Sequence, residues 1–122
     1  MTLPTDTLYR FLFANAPVKG ELVQLPNTWR TITQTANKRA YPAVVTEILG
    51  QMTAACTLLS ANLKFDGSMI MQIHGDGPIQ LLVVECRSDL TIRATAKVNE
   101  HATITPEMDL QTLLNQHGGA RF

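Results

Sequence analysis

Between Leu8 and Phe13 the aromatic residues Tyr9, Phe11 and Phe13 fall on one parity. That spacing suits a pleated strand better than a short helix. The turn residues Asn15-Ala16-Pro17 and the extended run Val18 to Leu25 complete a hairpin, which Pro26 and Asn27 interrupt. Gly20 lies inside the second run, where the missing side chain predicts a bulge or a close backbone approach. Asn27 then predicts the cap of a helix whose apolar positions Trp29, Ile32 and Ala36 recur at spacings of three and four, ending at Tyr41-Pro42.

Pro42 suits the first turn of a second, longer helix that runs to about Leu63. Its apolar residues, from Val44, Val45, Ile48 and Leu49 to Cys56, Leu58, Leu59 and Leu63, occupy most of the circumference, and Glu47 is its only charge. Such a helix is either central to a core or spans a bilayer. Thr46, Gln51, Thr53, Thr57, Ser60 and Asn62 are many polar groups for a lone span, and no basic flank orients one. A buried helix between sheets is the expectation. Gly50, Ala54, Ala55 and Ala61 would let neighbouring backbones come close, at a propensity cost for Gly50 of about 1 kcal/mol.

Met69 to His74, the tetrad Gly75-Asp76-Gly77-Pro78 and Ile79 to Cys86 read as two strands joined by a turn. Leu81 to Val84 are consecutive and apolar, which predicts a mid-sheet strand covered on both faces. Leu90, Ile92, Ala94, Ala96 and Val98 alternate with polar residues, the pattern of a half-buried strand. Pro106 to Asn115 predicts a short amphipathic helix ended by Gly118-Gly119, and a fresh apolar element begins at Ala120-Arg121-Phe122. The expected class is α+β: β/α/β layers, with a mixed and largely antiparallel sheet around a long buried helix, in a single domain over 1–122 that stops before its natural end.

The 122 residues allow one modest core, burying about 65% of the unfolded chain's surface. Ten Lys plus Arg balance ten Asp plus Glu, so no field recruits nucleic acid or an anionic membrane. A hydrophobic share of 45% against 16% charged residues is apolar for a domain surrounded by water, so some apolar surface is expected to meet a partner. No secretory signal is visible in Met1 to Arg10, which makes an intracellular site the default.

Catalytic chemistry finds no foothold. Gly75-Asp76-Gly77-Pro78 lacks the Lys-Ser/Thr of a phosphate loop and precedes a strand, so it reads as a hairpin turn. Asp66-Gly67 is a turn signal without a supporting His, Ser or second carboxylate. His74, His101 and His117 are not at metal-ligand spacing, and Cys56 and Cys86 form no CxxC, so no catalytic or metal residue is assigned. Two small buried hydrophobes is the simplest reading of the cysteines. Met69, Met71 and Ile73 share one strand face and are the candidates for a flexible apolar contact surface.

Leu8-Tyr9-Arg10-Phe11-Leu12-Phe13 followed by Val18-Lys19-Gly20-Glu21-Leu22-Val23 resembles the opening hairpin of the redox-regulated holdase chaperones of the thirty-three-kilodalton heat-shock family. Tyr41-Pro42, Leu63-Lys64-Phe65-Asp66-Gly67, Gln72 to Ile79, Arg93-Ala94 and Leu110 to Leu114 with Gly118-Gly119 follow in the same order. The resemblance covers nearly the whole chain and only the N-terminal part of the family. It implies a cytoplasmic, ATP-independent chaperone core that binds unfolded or oxidatively damaged proteins, is not an enzyme, and forms homodimers, including domain-swapped ones. Full-length members hold zinc through Cys-x-Cys and Cys-x-x-Cys motifs that this chain lacks, so no zinc ligand carries over to Cys56 or Cys86. The competing reading is a dimerisation scaffold without chaperone activity; a small hydrolase is a weaker third.

Overall fold

The computed structural model describes residues 5–39, 41–64 and 66–122, without the side chains of Ala36 and Asn37. The expectations placed on Met1 to Pro4, on Phe65 and on the side chain of Ala36 fall outside that description. Strands β1 (Thr7–Leu12) and β2 (Lys19–Gln24) pair antiparallel, with Tyr9 opposite Leu22, Arg10 opposite Glu21 and Phe11 opposite Gly20. The hairpin is regular, and Gly20 serves close approach: the Phe11 ring lies where a β-carbon would be.

Helix α1 (Pro26–Lys38) begins one residue before the expected Asn27 cap. Its cap comes from far away in sequence: the Asp6 carboxylate accepts the N–H groups of Asn27, at 2.8 Å, and Thr28, at 3.2 Å, together with the Thr28 hydroxyl. These are donors that a helix start leaves unpaired. Helix α2 (Ala43–Asn62) follows Pro42, whose φ of −56° is already helical in value.

Three further strands, β3 (Ser68–His74), β4 (Ile79–Arg87) and β5 (Ile92–Val98), form an antiparallel meander with β4 in the middle. Cross-strand partners share a face, so the register stacks Met69, Cys86 and Ile92 in one row, Met71, Val84 and Ala94 in the next, and Ile73, Leu82 and Ala96 in the third. These rows meet Val45, Leu49, Met52 and Cys56 of α2, and Leu113 and Leu114 of α3 (Leu110–Leu114) close one end of the core. Leu82, Val84 and Cys86 are fully buried, while Leu81 and Val83 on the opposite face are half-buried, so β4 is covered completely on one face only.

Helix α2 touches the hairpin through β2 and the meander through all three of its strands, giving the β/α/β layering. The α+β class holds, with two corrections of detail. Every strand pair among the described residues is antiparallel, because hairpin-like connections leave no crossover to make a mixed sheet. And α2 is buried along one side only: Val45, Leu49, Met52, Thr53, Cys56, Thr57 and Ser60 are inside, whereas Ala55 is exposed and Leu59 is 50% exposed. By length and composition α2 could cross a membrane; its contacts with the core account for that apolarity instead.

Of the buried hydroxyls on α2, Ser60 donates to the Met69 sulfur at 3.5 Å and the other two are satisfied by their own helix. Thr53 donates to the Leu49 carbonyl at 2.7 Å and Thr57 to the Thr53 carbonyl at 2.8 Å, the back-bonding open to a mid-helix threonine. Gly50 brings the two helices together, since a β-carbon there would lie 2.7 Å from the Trp29 ring. Gly50→Ala is accordingly expected to lower Tm despite alanine's better helix propensity; a higher Tm would show that Trp29 is free to move.

The Gly75-Asp76-Gly77-Pro78 turn anchors the C-terminal segment. The N–H groups of Asp76 and Gly77 donate to the Leu114 carbonyl, and a β-carbon at Gly77 would lie 2.9 Å from the Leu113 carbonyl oxygen. The Asp76 carboxylate accepts N–H groups from Gln116 at 2.8 Å, His117 at 3.2 Å and Gly119 at 3.1 Å. Past this clamp, Arg121 and His74 exchange two backbone hydrogen bonds of 2.8 Å at the outer edge of β3. Helix α3 is shorter than the run Pro106 to Asn115 suggests, because Asp109 caps it by accepting the Thr112 N–H at 2.8 Å.

The backbone N–H bonds from Gln116, His117 and Gly119 hold the Asp76 carboxyl below the usual carboxylate range. Hydrogen bonds from Arg93 and Ser68 do the same for Glu85, and the Thr112 N–H and hydroxyl for Asp109. Depressed folded-state pKa values contribute stability that is complete above the unfolded value of about 4 and is lost as pH falls through the folded values. Circular dichroism should therefore show stability falling below about pH 4, with a shallower fall in Asp76→Asn; an unchanged slope in that variant would remove Asp76 from this account.

Candidate interaction surface

The hairpin has two unlike faces. Leu8, Arg10, Glu21 and Val23 occupy one, and it is turned towards α2: Arg10 donates to the Ala61 carbonyl at 2.6 Å and pairs with Glu21 at 3.1 Å, and the Asn62 amide donates to the Glu21 carboxylate. Tyr9, Phe11 and Leu22 occupy the other, each about half exposed. Phe13 and Val18 next to the turn are similarly open, and Leu12 is 81% exposed. The rings of Phe11 and Phe13 meet edge to face with centroids 5.8 Å apart, a favourable aromatic geometry. Leu12 belongs by register to the other face, with Arg10 and Glu21. Scattered exposed hydrophobes are ordinary, but several large ones sharing one face of a small sheet are of the kind that meets a partner.

The meander's own edges are partly closed. At β5 the Tyr41 hydroxyl donates to the Ala96 carbonyl at 2.7 Å and accepts the Ala96 N–H at 3.1 Å, taking the place of a neighbouring strand. Arg39 donates to the Thr95 hydroxyl beside it at 2.7 Å. Side-chain plugs of this sort discourage edge-to-edge pairing.

Met69, Met71 and Ile73 lie on the inner face of β3, half-buried against the core, so only part of their surface remains open. The structure keeps the other chemistry-bearing residues apart. Asp66 is exposed in the turn before β3; His74 ends β3, His101 lies beyond β5 and His117 beyond α3. Among the described residues no three His, Cys, Asp or Glu gather as a metal-holding group. Cys56 on α2 and Cys86 on β4 are both fully buried in the core cluster. Burial, reinforced by the neighbouring Cys86, pushes the Cys56 thiol up. These two residues do not suit zinc, which takes three or four Cys, His or carboxylate ligands together, and no metal chemistry is derived for them. A thiol-alkylating reagent is expected to leave both cysteines unmodified until the chain unfolds; rapid labelling of the native chain would contradict their burial.

Residue reasoning found the hairpin but not its exposure, although the shared parity of Tyr9, Phe11 and Phe13 was the available signal. Comparison with known proteins supplies the relation. The family model described as Hsp33 protein matches residues 6–120. The chain belongs to the Hsp33 family. Among its relatives, the 33 kDa chaperonin of Chromobacterium violaceum is 55% identical over 92 residues, covering 75% of this chain and 30% of that protein. The 33 kDa chaperonin of Neisseria meningitidis serogroup A is 42% identical over 113 residues, covering 93% and 36% respectively. That of Haemophilus influenzae strain PittEE is 42% identical over 115 residues, covering 94% and 38%. The chain thus spans about a third of the length of these Hsp33 relatives.

Proposed function

We propose that this chain is the client-binding core of an ATP-independent holdase that captures unfolded proteins in the cytoplasm by covering their apolar segments. The observation that carries the reading is the exposed aromatic and aliphatic face of the hairpin, Tyr9, Phe11, Phe13 and Leu22; the open parts of Met69, Met71 and Ile73 add to it. Hydrophobic burial, at about 25 cal/mol per Å² of apolar area, would supply the affinity, and no chemical step is needed. The same apolar surface would support a homodimer, including one that exchanges elements. In longer members of the family, redox control would reside in a zinc-thiolate unit, where oxidation of the thiolates to disulfides by a cellular oxidant would release the metal together with its contribution to folding. The test is light scattering from a thermally unfolding client with this chain at equimolar concentration under reducing conditions. Reduced scattering supports a constitutive holdase core; unchanged scattering refutes that reading and favours a dimerisation scaffold.

A further inference from the structure

A groove of about 720 Å³ runs between β2, α1 and α2. Val23, Leu25, Trp29 and Ile32 give it apolar walls, and Tyr41 contributes its ring, the hydroxyl being engaged at Ala96. On its α2 side Thr46, Glu47, Gly50, Gln51 and Ala54 recur at helical spacing, and Glu47 is the only charged residue among the described lining. Glu47 is exposed and makes no ion pair among the described residues.

An apolar groove with two aromatic residues and a single unpaired carboxylate has a definite preference. Aliphatic side chains fit its walls, and a guanidinium is favoured both by the carboxylate and by aromatic faces. An acidic side chain brought to the same place would meet Glu47 as a like charge. We propose that this groove binds a short unfolded segment in which apolar residues flank an arginine, so that the core selects basic apolar stretches of its clients. The inference deepens the client-binding reading and rests on it, but it concerns a surface separate from the outward face of the hairpin. It gives the chain a selective contact beside a general one.

Trp29 is the only tryptophan of the chain, so its fluorescence reports the groove directly. The probes are two short synthetic peptides of alternating leucine and alanine, one with a central arginine and one with a central glutamine, titrated into the native chain and into Glu47→Gln. The expected result is a saturable shift of Trp29 emission, with the arginine peptide binding about twofold to fivefold more tightly and that preference lost in Glu47→Gln, as suits a partly exposed ion pair. Glu47 lies on the exposed side of α2, so the variant keeps the core contacts. No saturable shift, or an arginine preference that survives Glu47→Gln, overturns the proposal. Suppression of client aggregation persisting alongside either result would show that the holdase reading stands while the groove assignment fails.

Discussion

Leu49→Ala is expected to lower the unfolding free energy by about 2–5 kcal/mol, the range for emptying a packed leucine site. Leu49 is fully buried and belongs to the cluster in which α2 meets Leu82, Val84 and Ala96 of the meander. With a total stability of about 5–15 kcal/mol for a domain of ordinary size, this single change would remove a large part of it. A drop in Tm of roughly 8–20 °C follows from the usual unfolding entropy. Leu59→Ala on the same helix is the control: Leu59 is half exposed, and its truncation should cost about 0.5 kcal/mol or less. Chemical denaturation of the two variants would measure the contrast. Equal losses would mean that α2 does not present to the core the side described above.

The second large effect is functional. Replacing Tyr9, Phe13 and Leu22 together by serine should abolish suppression of client aggregation. The stability loss should stay small, because the side chains are about half exposed and the Tyr9–Leu22 cross-strand pair contributes about 0.2–1 kcal/mol. Far-ultraviolet circular dichroism would establish that the variant is folded before its light-scattering trace is compared with the parent. A folded variant that still protects its client would move the binding surface off the hairpin.

Local periodicity made much of this architecture legible. The period-two pattern predicts β5 and its inward face from Ile92 to Val98, but not at Leu90, which lies before the strand, 51% exposed and with a φ of 67°; the consecutive Leu81 to Val84 predicts a central β4. Pro42 marks the start of α2 to within a residue. What periodicity could not decide is direction. Apolar residues surround α2, so nothing in its pattern says that Leu49 faces the sheet while Leu59 faces out. The alternation in β3 groups Met69, Met71 and Ile73 without saying that their shared face is the inner one. Contacts between distant residues were equally hidden. Asp6 caps a helix that begins some twenty residues later, Asp76 clamps the loop after α3, and Tyr41 closes an edge of β5. Each depends on a polar side chain finding backbone groups brought near only by the fold. The turn reading of Gly75-Asp76-Gly77-Pro78 accounts for its glycines, but the three N–H bonds to Asp76 give the motif its larger structural role.

Family membership establishes kinship with the 33 kDa chaperonins, and the exposed hairpin face suggests how this segment would take part. The most direct test of that claim is photo-crosslinking to a thermally unfolding client, with a photoreactive side chain placed either at Leu22 on the outward face of the hairpin or at Lys97, exposed on β5. Adducts should form from position 22 and be scarce from position 97. Equal yields from both positions, or none from position 22, would contradict capture through the hairpin.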